Sequence, residues 1–312
     1  MTEYQLFELP GLGPEDVVAD GKGWLYTGLE DGRVLKIDPV SKDIRTLVTM
    51  EGRPLGMEVT DKGRLLICCS PGGLYELDLA SNSLRLLAAM DGDETLPFCS
   101  NVIAGPGGEI YFTVSSMRHE FSDWKVDFTE GLHTGRAYRL NTDGSLDLLA
   151  RDLAFANGLV LAPSGDYLVV AETLGRRLQK LYLDGSKAGR LEPFVEFEAY
   201  PDNLGVDDGV FWVSLASERN RDLEKVHKIP LFLRRVVARL PEAVQPKPKR
   251  MAWVEAYDFE GNRVHRSKWT DGVYATVTSV CRVGDRLWCG SITEESLLTF
   301  ELDESVGAKS RS

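Results

Sequence analysis

The sequence predicts an all-β fold, a six-bladed β-propeller forming a single domain over residues 1–312. Three observations predict it. A strand–turn–strand phrase recurs along the whole chain. Its copies lie mostly about 40–55 residues apart, the length of a four-stranded blade. No amphipathic helix separates consecutive copies, as βαβ units would require.

The first copy is EDVVADGKGWLYTGLEDGRVLKID from Glu15, where short apolar strands alternate with Gly-containing turns. The second begins at Pro54 (PLGMEVTDKGRLLICCSPGGLYELDL). The third begins at Asn101 (NVIAGPGGEIYFTVSS), and an insertion delays its third strand, GRAYRLNTDG. The fourth runs from Asn157 (NGLVLAPSGDYLVVAETLGRRLQKLYLDG) and the fifth from Pro201 (PDNLGVDDGVFWVSLAS). The sixth starts near Thr278, within TSVCRVGDRLWCGSITEESLLTFELDE. The N-terminal YQLFEL is expected to pair with the last blade and close the ring, which removes exposed edges.

The fifth copy carries a long insertion, about residues 222–250, expected to cap the channel mouth. Between Lys225 and Arg250 it holds eight Lys/Arg and one acid, Glu242. Pro230 and Pro241 bracket LFLRRVVARL, in which Leu233, Val236, Val237 and Leu240 fall at i, i+3, i+4 and i+7. That spacing predicts a short amphipathic helix packed across the mouth, with helix confined largely to this insertion. Its basic face, Arg234, Arg235 and Arg239, also suits a membrane surface.

Composition narrows the function classes. With 43% hydrophobic residues and no low-complexity tract the chain is not disordered. A formal net charge of −12 argues against nucleic acid as a partner. No apolar run has the length of a spanning helix. The N-terminus reads as neither a basic leader nor a signal core, and five cysteines without paired spacing suit reduced thiols. Together these predict a cytoplasmic location.

The innermost strand of each blade lines the central channel, so residues at strand entries gather around one point. Those entries carry Glu15, Asn101, Asn157, Asp202 and Asn203. Singly, each has an ordinary reading as a turn or capping residue; their shared register in the repeat sets them apart. Two carboxylates and three amides make a hard oxygen cage suited to Ca²⁺, other divalent cations being possible, whereas Zn²⁺ would call for His or Cys.

GPEDVV, SNVIAG, ANGLVL, YPDNLGVD and VTSVCRVGDRLWCGS, taken in order, resemble the strictosidine-synthase-like branch of the calcium-dependent six-bladed propellers, a group that includes the gluconolactonase/regucalcin proteins and the paraoxonases. The resemblance implies that Glu15, Asn157 and Asp202 match shared metal ligands, that Asn101 matches a metal-orienting asparagine, and that Asn203 matches an additional ligand of paraoxonase type. Two departures stand out. Pro54-Leu55-Gly56 replaces the His-containing motif of paraoxonases, and Thr278 lies near the position of the catalytic glutamate of true strictosidine synthases.

The expected activity is calcium-dependent hydrolysis of small-molecule lactones or related esters, with Asp202 orienting or deprotonating water and His133 as the reserve base. Phe98, Trp124 and Trp212 are expected at the channel mouth. His119 is a weaker candidate than His133, and His227 and His265 belong to the fifth-blade insertion and its return. The absence of a G-x-S-x-G elbow argues against a serine nucleophile. A non-hydrolytic metal-dependent enzyme and a binding propeller with structural calcium are the alternative readings.

Overall fold

A computed structural model describes residues 3–240 and 249–302. Six antiparallel four-stranded sheets follow one another along the chain. Their innermost strands are Val17–Ala19, Arg53–Val59, Cys99–Ala104, Ala156–Leu161, Ala199–Asp207 and Val277–Val283. Each contacts the innermost strands of both neighbouring blades, and the first contacts the last, so the ring closes around an axis. The sixth sheet takes its outermost strand, Tyr4–Glu8, from the N-terminal region, with Tyr4 opposite Phe300 and Glu8 opposite Ser296. The expected pairing of YQLFEL with the last blade is therefore present.

Strand periodicity builds the core between blades. Along Val210–Glu218, Phe211, Val213 and Leu215 pack on Val169, Ala171 and Leu178 of blade four. Trp212, pointing the other way, packs on Val277, Val280 and Leu287 of blade six. It is 1% exposed and lies in the blade-five/blade-six core, not at the channel mouth where the sequence reading put it.

Helix is less confined than expected. The fifth-blade insertion folds as α2 (Arg221–His227) and α3 (Leu231–Ala238), between the second and third strands of its sheet. Asn220 caps α2, its side-chain oxygen accepting from the Asp222 and Leu223 amides at 3.0 and 3.1 Å. The blade-three insertion adds α1 (Trp124–Glu130), which ends on Gly131 at φ 62°. The three helices touch one another. Residues 241–248, including Pro241 and Glu242, lie outside the described residues.

The apolar stripe of α3 also faces differently. Val237 lines the channel-mouth cavity and Ala238 is buried, while Leu233, Val236 and Leu240 are exposed. The inward side is shared with Arg234, whose guanidinium donates to Ile229 O and Glu130 O at 2.9 Å each and to His227 O. A cation can occupy that side because backbone carbonyls satisfy its donors. No helix among the described residues is long and apolar enough to cross a membrane.

Candidate functional site

The entries of the innermost strands are bulged, and this aims their side chains. Opposite two-residue steps on the neighbouring strand, three-residue steps run from Pro54 to Met57, Cys99 to Val102, Ala156 to Leu159 and Pro201 to Leu204. Each bulge carries one extra residue and turns the chain locally. Asn101, Asn157, Asp202 and Asn203 all sit in these bulges. Glu15 lies just ahead of the first strand.

All five are at most 8% exposed. Asn157 donates from Nδ2 to Asp202 Oδ1 at 2.5 Å and to Thr173 Oγ1 at 3.3 Å, and its Oδ1 accepts from Ser100 Oγ at 3.2 Å. Asn203 donates from Nδ2 to Glu15 Oε1 at 3.2 Å. Glu15 Oε2 and Asn203 Oδ1 are buried without a hydrogen-bond partner. Asn101 joins the set indirectly. Thr113 Oγ1 accepts from its backbone N–H at 3.2 Å and donates to Asn157 O at 2.8 Å. Its Nδ2 lies 2.5 Å from where a Cβ on Gly56 would sit, so only glycine admits it there.

The electrostatics are those of crowded anions. Burial pushes the Glu15 carboxyl well above its usual range, and Asp16 and Asp202 push it further, against Arg53 and the Asn203 amide. Burial raises Asp202 to about 8, with Asp16 adding and the Asn157 hydrogen bond opposing. Asp16 is turned elsewhere: its oxygens accept from the Val17 and Met57 amides at 2.8 and 2.7 Å. Among the described residues no group of three His, Cys, Asp or Glu is placed to hold a metal. The set at the channel is two carboxylates with amides, a different donor chemistry.

These residues border a cavity of about 420 Å³. Its polar end is formed by Glu15, Ser100, Asn157, Thr173, Asp202 and Thr278. Its walls are aromatic: Phe98 stands edge-on to Phe121 at 5.7 Å and to Phe155 at 5.3 Å, and Phe128 to Phe155 at 4.6 Å. Trp124 and Phe128 of α1, Leu223 and Val226 of α2 and Val237 of α3 complete the lining. Phe98 and Trp124 are thus at the mouth as expected. Asn101 and Asn203 lie behind the lining.

None of the four histidines lines the cavity. His133 is exposed on the blade-three insertion, outside the site it was expected to serve. His119 Nε2 lies 3.6 Å from Glu130, His227 Nε2 bonds Phe128 O at 2.7 Å, and His265 bonds Ser267 on the outermost strand of blade five.

Sequence reasoning missed the hydroxyls that lock the ring around the site. Thr278 Oγ1 donates to Glu15 O at 2.5 Å, Thr27 Oγ1 to Asp16 O at 2.5 Å, and Ser214 Oγ to Thr278 O at 2.7 Å. Their signal was present as Thr or Ser beside apolar strand residues: YTG, VSL and VTS. A buried hydroxyl at such a position needs a partner, and a backbone carbonyl supplies it, across the blade boundary for Thr278 and Ser214 and within blade one for Thr27.

A family model described as the SMP-30/Gluconolactonase/LRE-like region matches residues 13–224. Protein Strictosidine synthase-like 6 of Arabidopsis thaliana is 30% identical over 298 residues, covering 93% of this chain and 79% of that protein. The adipocyte plasma membrane-associated protein of Rattus norvegicus is 32% identical over 235 residues, 69% of this chain and 62% of its own length. Among solved structures, a gluconolactonase of Xanthomonas campestris has TM-score 0.70 at 18% identity, covering 97% of this chain and 90% of that one. Regucalcin of Agrobacterium tumefaciens, a calcium-binding protein, has TM-score 0.64 at 16% identity, covering 94% and 92%. Both structural likenesses speak for the fold.

Proposed function

The chain belongs to the SMP-30/Gluconolactonase/LRE-like family, and on that footing we propose that its channel mouth binds a divalent cation, Ca²⁺ by donor type, and hydrolyses apolar lactones or related esters. One observation carries the reading. A buried carboxylate oxygen and a buried amide oxygen, Glu15 Oε2 and Asn203 Oδ1, are left without partners beside a second buried carboxylate. Unpartnered buried oxygens of this kind each cost on the order of 1–3 kcal/mol, and a cation would offset that cost for several at once.

Glu15, Asn157, Asp202 and Asn203 would hold the cation, with Asn101 orienting the set from behind. When bound, such a cation supplies Lewis-acid polarisation of a carbonyl and stabilises the charge that develops on its oxygen. Asp202 lines the cavity and is fixed by Asn157, which Ser100 and Thr173 hold in turn. In this reading Asp202 would orient the attacking water and take its proton. His133, outside the cavity, has no part in this reading. The aromatic walls would take up the acyl or ring portion of the substrate and exclude bulk water from the carbonyl.

The test is a panel of aryl esters, alkyl lactones and sugar lactones, run on chelated protein and on protein resupplied with Ca²⁺. Calcium-restored turnover is expected, with aryl and alkyl substrates exceeding polyhydroxylated ones by about tenfold or more, because hydroxyls against the aromatic walls lose hydration without partners. Turnover of a non-hydrolytic kind would favour a rearranging or condensing enzyme. Calcium binding with no turnover on any substrate would favour a binding propeller.

A further inference from the structure

The helix that closes the cavity presents its apolar stripe to solvent. Phe232 is 66% exposed, Val236 58%, and Leu233 and Leu240 about as exposed as each other at 39% and 43%. At i, i+1, i+4 and i+8 they form one outward strip, while Val237 on the inward side lines the cavity. Exposed basic residues accompany the strip along the insertion: Arg221 on α2, Lys228 between the helices and Arg239 at the end of α3, while Arg235 reaches Glu130 at 3.2 Å from its half-exposed flank. The stretch from Arg219 to Leu240 contains seven Lys/Arg and two acids, Asp222 and Glu224, in a chain whose formal net charge is −12, although Arg219 and Arg235 also pair with Glu198 and Glu130.

We propose that the outward face of α3 docks on a lipid bilayer carrying anionic headgroups. An apolar strip with arginines beside it matches both layers of such a surface: side chains enter the acyl boundary and cations meet the headgroups. Charge complementarity sets the orientation, since the acidic remainder of the molecule is repelled by the same headgroups. A second protein is a poorer occupant. Three side chains on α3 and Leu240 just past its end cover far less than the roughly 800 Å² per partner of a stable interface. The strip and the cavity lining are two sides of α3, so docking would set this one helix between the bilayer and the cavity.

The test is co-sedimentation of the full chain with vesicles of phosphatidylcholine alone and of phosphatidylcholine mixed with phosphatidylserine. Binding is expected on the mixed vesicles and falls as salt is raised. Phe232→Asp with Val236→Asp should weaken it by on the order of tenfold or more, since two buried apolar side chains are lost. Arg239→Glu should abolish the preference for the mixed vesicles. Val40→Asp, at a 90% exposed apolar residue on a blade-one turn, should change nothing. The proposal is overturned if neither vesicle binds, if binding survives the double variant, or if light scattering shows a dimer that the double variant dissolves. Circular dichroism of each variant shows whether the fold is kept. The readout needs no turnover, so its failure would leave the hydrolase reading standing.

Discussion

Asp202→Asn is expected to cut turnover by on the order of 10²–10³ and to weaken calcium binding at least tenfold, while the ring stays folded. The substitution keeps the shape of the side chain and its place beside Asn157, 2.5 Å away, but removes the charge. It also removes the group proposed to take a proton from water. Glu15→Gln should weaken binding similarly and lose less rate at saturating calcium, because Glu15 is assigned to the cation alone. Stability separates this mechanism from a merely structural role. In chelated protein the buried carboxylates repel, and burial already holds both above their usual range. Neutralising one should leave the chelated protein as stable as the parent or more so. In calcium the order should reverse, because the parent gains binding free energy that the variant lacks. Calorimetry with and without chelator, beside rates on the best substrate of the panel, checks both. Full turnover in protein shown metal-free by elemental analysis would sink the mechanism, as would an Asp202→Asn variant with unchanged rate.

Much of this arrangement was legible because a propeller converts repeat register into spatial convergence. Glu15, Asn157 and Asp202 stand at matching points of the repeat, and closure of the ring brings those points to one cavity. What the sequence could not show belongs to pairing and side-chain direction. The bulges are a relation between two strands, so no single segment announces them, yet they decide that Asn157 and Asp202 face the cavity while Asn203 lies behind. Trp212, expected at the channel mouth, lies instead between blades five and six because alternation along Val210–Glu218 turns it there. The α1 helix spans only seven residues, too few for a periodic pattern to stand out, although Gly131 marks its end. Outward-facing Leu233, Val236 and Leu240 defeated the amphipathic reading because Arg234 occupies part of the inward side. The rule that apolar residues pack inward assumes the cation has no better partner, and here three carbonyls provide one.

Gly158→Ala is expected to destabilise the protein by at least about 3 kcal/mol, a large share of the 5–15 kcal/mol that typically holds a domain folded. A Cβ there would lie 2.3 Å from Leu204 N, 2.6 Å from Asn203 Cα and 2.7 Å from Asn203 C. All three are backbone atoms of the adjacent blade, so no side-chain rotation can relieve the overlap. The innermost strands of blades four and five would have to separate, and the ring fixes both through their other neighbours. The damage should extend to the site, since Asn157 precedes the glycine and Asn203 supplies the atoms it strikes. Calcium affinity should therefore fall together with stability in whatever fraction still folds. Gly21→Ala is the matched control: no heavy atom lies within 4 Å of its Cβ position and its backbone is ordinary, so stability should change by no more than about 0.5 kcal/mol. Urea denaturation of the two variants beside the parent measures the difference. Equal midpoints for Gly158→Ala and the parent would show that blades four and five part without cost, and the close approach of bulged strands would no longer explain how the candidate ligands are held.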